Sequence, residues 1–298
     1  GYPADAWYSA FSISREIKIL GINMNFAPTV DLFTNHDSTI IGTRSFGDEP
    51  EKAGILGGAW ASGSIAAGII PTVKHFPGHG DTSYDSHIHL PEINVDFDTF
   101  TKRELVPFMY LIKQGVPAVM SGHLSFPKID PTGTPASLSK YFLTDLLRGQ
   151  LGYKGLIITD DMTMNGATTF AGSLSAAFRM AIEAGNDIII SSSTAGLNDA
   201  LWTQNLSLMQ TEDSFRERVK DAAKRVLLFK LAYFKGGNAA PLYPDETKID
   251  ELIPDREGQK FFLEQACRSI TLYKDNGSVP LSAKNAGKVL IVGPYTSL

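Results

Sequence analysis

Short apolar runs alternate with segments of helical periodicity along most of the chain. The apolar runs predict strands over 22–30, 69–74, 116–120, 155–159 and 187–191. They lack the strict alternation of apolar and polar residues that a sheet with one solvated face shows. Because such runs are typical of strands buried on both faces, they favour a parallel sheet covered by helices.

Between these runs, apolar residues recur at the spacing of helices. Regular alternation of strand and helix predicts an α/β fold, here a TIM-like (β/α) barrel, with a doubly wound open sheet as the competing architecture. A closed barrel of this type has eight strands, so we expect this chain to lack the first strands of its barrel. The predicted helices cover 4–20, 51–67, 99–114, 140–150, 174–184, 212–234 and 256–267.

The end of the chain changes in composition. A stretch rich in Gly, Pro, Asn and Ala begins at residue 236 and indicates a linker. We therefore predict a barrel domain over 1–235, a linker over 236–255 and the beginning of a C-terminal α/β sandwich domain over 256–298. Within the last segment, strands are expected over 269–274 and 288–292.

Composition excludes several classes of function. The net charge of −5 is spread without long runs of one sign, so neither a nucleic-acid footprint nor a membrane-surface patch is predicted. No apolar stretch approaches the roughly 20 residues of a membrane span. The single cysteine, Cys267, leaves no internal disulfide and no cysteine-based metal cage. The expected partner is a neutral or modestly polar small molecule.

The candidate chemistry is concentrated in the segment 74–91. This segment holds four of the six histidines, two aspartates and a lysine, and it follows a predicted strand. Other predicted strands also end in polar residues, among them His123 and Asp160. Because the carboxyl ends of the strands of a barrel open on one face, we expect these groups to meet there.

One interpretation of this segment is a metal site. Imidazole and carboxylate are usual ligands of a hydrolytic zinc or iron ion, and His75 and His79 with Asp81, Asp85 or His87 would supply them. The His-x-x-x-His spacing suits a helix. A proline and two glycines within the same stretch argue against a helix here.

A second interpretation is acid/base catalysis. Asp85 could orient His87 and raise its basicity, so that the imidazole acts as general acid and then as general base. Asp160 or Asp161, after a buried strand, would serve as nucleophile or as stabiliser of positive charge. Neighbours on an extended backbone point to opposite faces. At most one of the two aspartates is therefore expected in the pocket, while Asp161 could instead cap the following turn.

A third interpretation is a sugar- or phosphate-binding module without catalysis. Arg44, Lys74 and His75 would then act as hydrogen-bond donors to the ligand. The residues alone leave all three interpretations open.

Several longer motifs narrow the choice. The segment KHFPGHGDTSYDSHIHLP resembles the histidine loop of glycoside hydrolase family 3 enzymes of the β-N-acetylglucosaminidase type, and GLIITDDMTM resembles the nucleophile segment of that family. The resemblance covers about residues 20–187. It continues in LGINMNFAPTVDL, IIGTRSFGDEP, VMSGHLSFP and PASLSKYFLTDLLRGQLGYKG.

This resemblance implies a TIM-like barrel that hydrolyses terminal β-linked N-acetylglucosamine with retention, through a covalent glycosyl-aspartate. It implies that Asp160 is the nucleophile and that His87, assisted by Asp85, is the acid/base. It further implies that Arg44, Lys74 and His75 contact the hydroxyls of the sugar. No metal or cofactor is implied. The expected substrates are fragments of peptidoglycan or chitin.

Two alternatives accompany this expectation. One is a β-glucosidase or β-xylosidase of the same family, and the other is a catalytically silent carbohydrate-binding barrel. Members of the family carry a further sugar-binding aspartate upstream, which we expect to be missing here together with the first strands. The beginning of a second domain favours an extracytoplasmic protein over a cytoplasmic one.

Overall fold

The strands in the described part of the chain form one parallel sheet. A computed structural model describes residues 1–38, 40–82, 90–193, 195–196, 199–275, 277 and 284. Its five strands pair in parallel and in the order of the sequence. A doubly wound sheet reverses its strand order, whereas a barrel keeps it, so the prediction of a TIM-like barrel is confirmed over this half-barrel. The strands are β1 Met24–Asn25, β2 Ile70–Phe76, β3 Ala118–Ser121, β4 Leu156–Asp161 and β5 Ile188–Ile190.

Helices connect the strands, and all seven segments that were predicted to be helical contain helix. Two of them contain π-helical turns, at Phe100–Glu104 and along Tyr141–Gln150. None of the helices in the described part of the chain is long and apolar enough to cross a membrane. The α-helices are α1 Pro3–Ile19, α2 Pro50–Ala67, α3 Phe97–Thr99, α4 Val106–Lys113, α5 Asn165–Ala171, α6 Leu174–Ala184, α7 Ala200–Thr211, α8 Asp213–Lys235, α9 Ile249–Leu252 and α10 Arg256–Ser269.

Both faces of the sheet are covered, as the continuous apolar runs predict. Val119 and Ile157 belong to the large core between the sheet and the helices, which includes the fully buried aromatic ring of Phe108. Their neighbours in the strands point to the opposite face because side chains alternate along a strand. There Ala118 and Ile158 lie in a second cluster, against which Val226 and Phe229 of α8 pack.

The first strand is shorter than the prediction over 22–30, but the chain after it stays beside β2. The amide N–H of Thr72 donates to Ala27, and that of Lys74 donates to Pro28. The amide N–H of Val30 donates in turn to the carbonyl of Lys74 over 2.9 Å. This pairing brings Asp31, the next residue, beside the end of β2.

A buried carboxylate at the beginning of β5 joins three segments. One oxygen of Asp187 accepts from the guanidinium of Arg148 at 2.6 Å and from the amide N–H of Ile157 at 3.0 Å. The other oxygen faces Arg225 at 2.6 Å and Arg218 at 3.2 Å, both on α8. Asp187 thereby links β4, the segment Tyr141–Gln150 and α8 at the edge of the sheet opposite to the carboxyl ends of the strands.

The chain divides into two compact units, Gly1–Gly258 and Gln259–Leu298. The predicted linker 236–255 lies within the first unit: Asn238 accepts from Lys18 and donates to the carbonyl of Ala66. In the second unit the strand predicted over 269–274 is wrong, because α10 continues to Ser269 and residues 270–275 pair with no described strand. An apolar run forms a strand only beside a partner that satisfies its backbone groups. The strand predicted over 288–292 lies outside the described residues, and the domain boundaries stay a prediction.

Candidate active site

Asp31 is the buried centre of the polar groups at the carboxyl ends of β1 and β2. Its carboxylate accepts the backbone N–H groups of His75 at 3.0 Å and of His79 at 2.8 Å. Its Oδ2 also lies 2.7 Å from Nδ1 of His75. Because a carboxylate only accepts, the proton between them belongs to Nδ1, and Nε2 of His75 faces the open side of the site.

Charge and hydrogen bonds keep Asp31 ionised in spite of its burial. Burial alone would raise the pKa of its carboxyl group, but the proximity of His75 and His79 and the hydrogen bonds from both residues bring that pKa below its ordinary value. A buried anion with several N–H donors fixes the geometry of those donors. Asp31 therefore holds the segment from His75 to His79 against the end of β1.

The two aspartates that end β4 have different surroundings. Oδ2 of Asp160 lies 3.8 Å from Nε2 of His75, and the side chain is 22% exposed. Asp161 points elsewhere: its Oδ1 accepts from the backbone N–H and the hydroxyl of Thr163 and from the backbone N–H of Ser192. Only Asp160 therefore lies beside His75, while Asp161 caps the turn after the strand.

Asp160 carries the electrostatics that a nucleophilic carboxylate needs. Burial favours its neutral form, yet the nearby His75 and His123, the backbone N–H of Asp161 and the ammonium of Lys74 lower its pKa below the ordinary value. The carboxylate is therefore ionised at neutral pH. One of its oxygens accepts from the N–H of Asp161 at 2.8 Å, which leaves Oδ2 to face a ligand.

Lys74 lies near the carboxylates of Asp160 and Asp31, and Arg44 lies near Lys74. Burial and the like charge of Arg44 lower the pKa of Lys74, and the carboxylates of Asp160 and Asp31 oppose that shift. Arg44 and Lys74 both line a cleft of about 420 Å³, together with Phe46 and Trp60. Cations and aromatic rings along one cleft can bind the hydroxyls and the apolar faces of a sugar ring.

Two further histidines are buried beside these groups. Burial lowers the pKa of His79 to about 4 and also lowers that of His123, so both rings are neutral at pH 7. Nε2 of His123 lies 3.0 Å from the carbonyl oxygen of Asp161, and its Nδ1 lies 2.7 Å from the hydroxyl of Ser137. Because the carbonyl only accepts, His123 carries its proton on Nε2. It therefore holds the backbone directly after Asp160.

The structure brings together Asp160, His75 and Lys74, and it places Arg44 on the cleft that Lys74 lines. The predicted acid/base residues Asp85 and His87 lie outside the described residues, so their roles stay predictions. Asp31 was absent from the prediction, although it follows an extended apolar segment just as Asp160 does.

A metal site formed by His75 and His79 with Asp81 has no geometric support, while Asp85 and His87, the other candidate ligands, lie outside the described residues. Within the described ranges no three side chains of His, Cys, Asp or Glu are arranged to hold a metal ion. Nδ1 of His75 is engaged by Asp31, and Asp81 binds Arg103 at 2.6 Å.

Comparison with known proteins gives consistent matches. The family profile described as Glycosyl hydrolase family 3 N terminal domain matches residues 6–229. Beta-hexosaminidase A of Pseudoalteromonas piscicida is 32% identical over 310 residues, 87% of this chain and 52% of the relative. The solved structure of a glycoside hydrolase family 3 beta-N-acetylglucosaminidase from Paenibacillus sp. str. FPU-7 matches with a TM-score of 0.81 and 35% identity, over 95% of this chain and 54% of the other.

A third similar protein, known from a solved structure, is named for a different activity. The solved structure of beta-glucoside phosphorylase BglX is similar with a TM-score of 0.78 and 26% identity, over 94% of this chain and 54% of the other. In each of these three pairs, this chain spans about half the length of the protein it matches.

Proposed function

Because the chain belongs to glycoside hydrolase family 3, we propose that it forms the catalytic barrel of a retaining exo-β-N-acetylglucosaminidase. The proposed substrates are fragments of peptidoglycan or chitin that end in β-linked N-acetylglucosamine. The observation that carries the proposal is Asp160, a carboxylate held ionised at the end of β4, 3.8 Å from the ring of His75. The names of the relatives, beta-hexosaminidase and beta-N-acetylglucosaminidase, support the choice of sugar.

In the first step, Oδ2 of Asp160 attacks the anomeric carbon and the bond to the leaving oxygen breaks. His87, oriented by Asp85, gives its proton to that oxygen, so that the aglycone leaves as a neutral alcohol. Lys74, His75 and the guanidinium of Arg44 bind the hydroxyls of the sugar during this step. The carboxylate also stabilises the positive charge that develops on the ring in the transition state.

In the second step, water attacks the glycosyl-aspartate. His87 takes a proton from the water, the bond between the sugar and Asp160 breaks, and the carboxylate is restored. The product keeps the β configuration because two displacements take place. A histidine in the acid/base role replaces a carboxyl group next to the reacting atoms, so anionic acceptors such as phosphate are repelled less than in an enzyme whose acid/base is a carboxylate.

Hydrolysis of 4-nitrophenyl N-acetyl-β-glucosaminide tests the proposal, with the matching glucoside as comparison. The full-length protein should release nitrophenol from the acetamido sugar, and the Asp160→Asn variant should not. The Asp161→Asn variant is the matched control, because it alters a turn cap on the same strand. Release from the glucoside alone would favour a β-glucosidase, and a folded parent inactive on both sugars would favour a carbohydrate-binding role.

The compartment is a separate proposal. We propose that the protein acts outside the cytoplasm, since a second domain follows the barrel in the predicted organisation. Fractionation of cells followed by detection of the protein tests this, and recovery in the cytoplasmic fraction would contradict it.

A further inference from the structure

A buried group of four polar side chains lies beside β4, the strand that carries Asp160. Each of the four is at most 1% exposed, although burying a polar group is unfavourable unless it is hydrogen-bonded. Two belong to β3 and the residues that follow it, one to the short helical turn Ala136–Leu138, and one to the turn before β5. These residues, called here the polar network, are Ser121, His123, Ser137 and Asn186.

Hydrogen bonds connect the members of the polar network. The hydroxyl of Ser121 donates to Oδ1 of Asn186 at 2.8 Å. Nδ2 of Asn186 donates to the carbonyl of Ser137 at 2.8 Å and to that of Ala181 at 2.7 Å. The hydroxyl of Ser137 lies 2.7 Å from Nδ1 of His123. Because every polar atom of the four side chains has a partner, the network is rigid.

One end of the polar network is connected to the nucleophile. Nε2 of His123 donates to the carbonyl of Asp161 at 3.0 Å, so Nδ1 carries no proton and accepts from the hydroxyl of Ser137. The backbone N–H of Asp161 donates in turn to Oδ1 of Asp160 at 2.8 Å. The ring of His123 therefore holds the carbonyl of the same residue whose N–H holds the nucleophile. A shift of this backbone segment would change the direction in which Oδ2 of Asp160 points.

We propose that His123 is a positioning residue that directs the carboxylate of Asp160 at the anomeric carbon. The hydroxyl of Ser137 fixes the orientation and the tautomer of the ring, and Asn186 fixes the backbone of Ser137. This inference rests on the proposed function, because it concerns the attack of Asp160 on the sugar. Displacing a reacting atom by about 1 Å can lower a rate about 100-fold, so a small shift of this backbone should be measurable.

Two substitutions of His123 separate its two hydrogen bonds. In glutamine the amide nitrogen is as many bonds from Cα as Nε2 is in histidine, so His123→Gln can still donate to the carbonyl of Asp161. In asparagine the amide extends only as far as Nδ1, so His123→Asn can accept from Ser137 but cannot hold Asp161. Because each variant loses one buried hydrogen bond, both should lower the unfolding temperature to a similar degree.

The readout is kcat/KM of the full-length protein for 4-nitrophenyl N-acetyl-β-glucosaminide, because this ratio includes the step in which Asp160 attacks. His123→Asn should lower kcat/KM about 30- to 100-fold, and His123→Gln less than about fivefold. The inhibition constant of the product N-acetylglucosamine should stay within about twofold of the parent in both variants, because neither changes a group that binds the sugar hydroxyls.

Tyr153→Phe is the matched control. The hydroxyl of the buried Tyr153 donates to the carbonyl of Leu156 at 3.1 Å, at the other end of β4. The substitution removes one buried hydrogen bond to the same strand, far along it from Asp160. It should therefore lower the unfolding temperature and leave kcat/KM unchanged.

A double-variant cycle tests the same role where His123→Asn fails to fold. Ser137→Ala removes the donor that fixes the ring and should lower kcat/KM about three- to tenfold, the factor that corresponds to one hydrogen bond. Added to His123→Gln, it should lower kcat/KM less than about twofold, because the glutamine holds Asp161 without the hydroxyl of Ser137. Equal factors in the two backgrounds would overturn the positioning role.

Other results would also overturn this role in an active protein. One is an equal change of kcat/KM in the folded His123→Gln and His123→Asn variants, because the contact with Asp161 would then have no separate effect. Another is a ¹⁵N NMR spectrum that shows the proton of His123 on Nδ1. A folded parent inactive on both the acetamido sugar and the glucoside would overturn the proposed function, and this inference with it.

Discussion

Replacing Asp31 by Asn tests whether one buried carboxylate sets the tautomer of His75. The amide oxygen can take the place of Oδ1 and keep the N–H groups of His75 and His79 at 3.0 and 2.8 Å. The amide nitrogen then takes the place of Oδ2, 2.7 Å from Nδ1 of His75. Two donors cannot share that contact, so the proton of the ring must move to Nε2. That N–H would then point at Asp160.

The expected cost can be worked out from these contacts. All three charge-assisted hydrogen bonds become neutral ones, which should lower the free energy of unfolding by about 2–3 kcal/mol. A donor turned toward the nucleophile, with a shift of the ring that carries it, should lower kcat/KM about 100-fold. That factor corresponds to about 2.7 kcal/mol of transition-state stabilisation.

The stability difference should depend on pH in one direction. Although burial opposes ionisation, the histidines and their hydrogen bonds depress the pKa of Asp31 below its ordinary value of 3.8. A carboxyl group with a depressed pKa stabilises the fold above its ordinary pKa and loses that contribution as the pH falls through the depressed value. The difference between the parent and Asp31→Asn should therefore be constant near neutral pH and shrink below about pH 3.8.

Urea unfolding at several pH values measures the stability, and ¹⁵N NMR of the imidazole rings reports the tautomer of His75. Asp130→Asn is the matched control: Asp130 is also buried and accepts from Thr132 and Ser139, but none of these partners is charged. It should cost about 1 kcal/mol and leave the tautomer unchanged. The reasoning is refuted if His75 keeps its proton on Nδ1 in the folded Asp31→Asn variant.

Three further predictions concern the same site. Because burial and Arg44 lower the pKa of Lys74, kcat/KM should begin to decrease at a pH below the ordinary lysine pKa of 10.5, as Lys74 loses its proton. The Lys74→Arg variant should not show this alkaline decrease. If the variant shows the same decrease, another group causes it. Gly80→Ala should lower the free energy of unfolding by about 3 kcal/mol or more, because the added Cβ atom clashes with Leu32. In the control Gly149→Ala the Cβ atom meets nothing closer than 3.4 Å, so the loss should be less than about 1 kcal/mol. Thermal unfolding measures both losses, and equal losses would contradict the clash. In phosphate buffer the products should include sugar 1-phosphate, and free sugar alone by chromatography would show that water is the only acceptor.

The sequence was most informative where the physical signal is local. The apolar runs around Val73, Val119 and Ile157 predict their strands because burial on both faces demands such runs. Helices α5 and α7 were not predicted. In α7 only Leu201 is buried, so its sequence carries little amphipathic pattern.

Site residues were predictable where they follow an unbroken strand, as Asp160 and Lys74 do. Asp31 was missed because its role depends on pairing between two segments 44 positions apart, which no local pattern encodes. Glu104, whose side chain is fully buried, was not predicted from the sequence, and it lies in a π-helical turn, where side chains do not follow the spacing of an α-helix.

The ion pairs of Asp187 also have a mechanical consequence. Arg218 and Arg225 lie two turns apart on α8, yet both bind the same carboxylate oxygen at the edge strand β5. A force that pulls α8 away from the sheet must load both contacts at once, so the helix should detach in one step rather than turn by turn. Arg148, on the other oxygen, passes that load to the segment Tyr141–Gln150. We therefore expect these ion pairs to resist detachment of α8 from the end of the half-barrel.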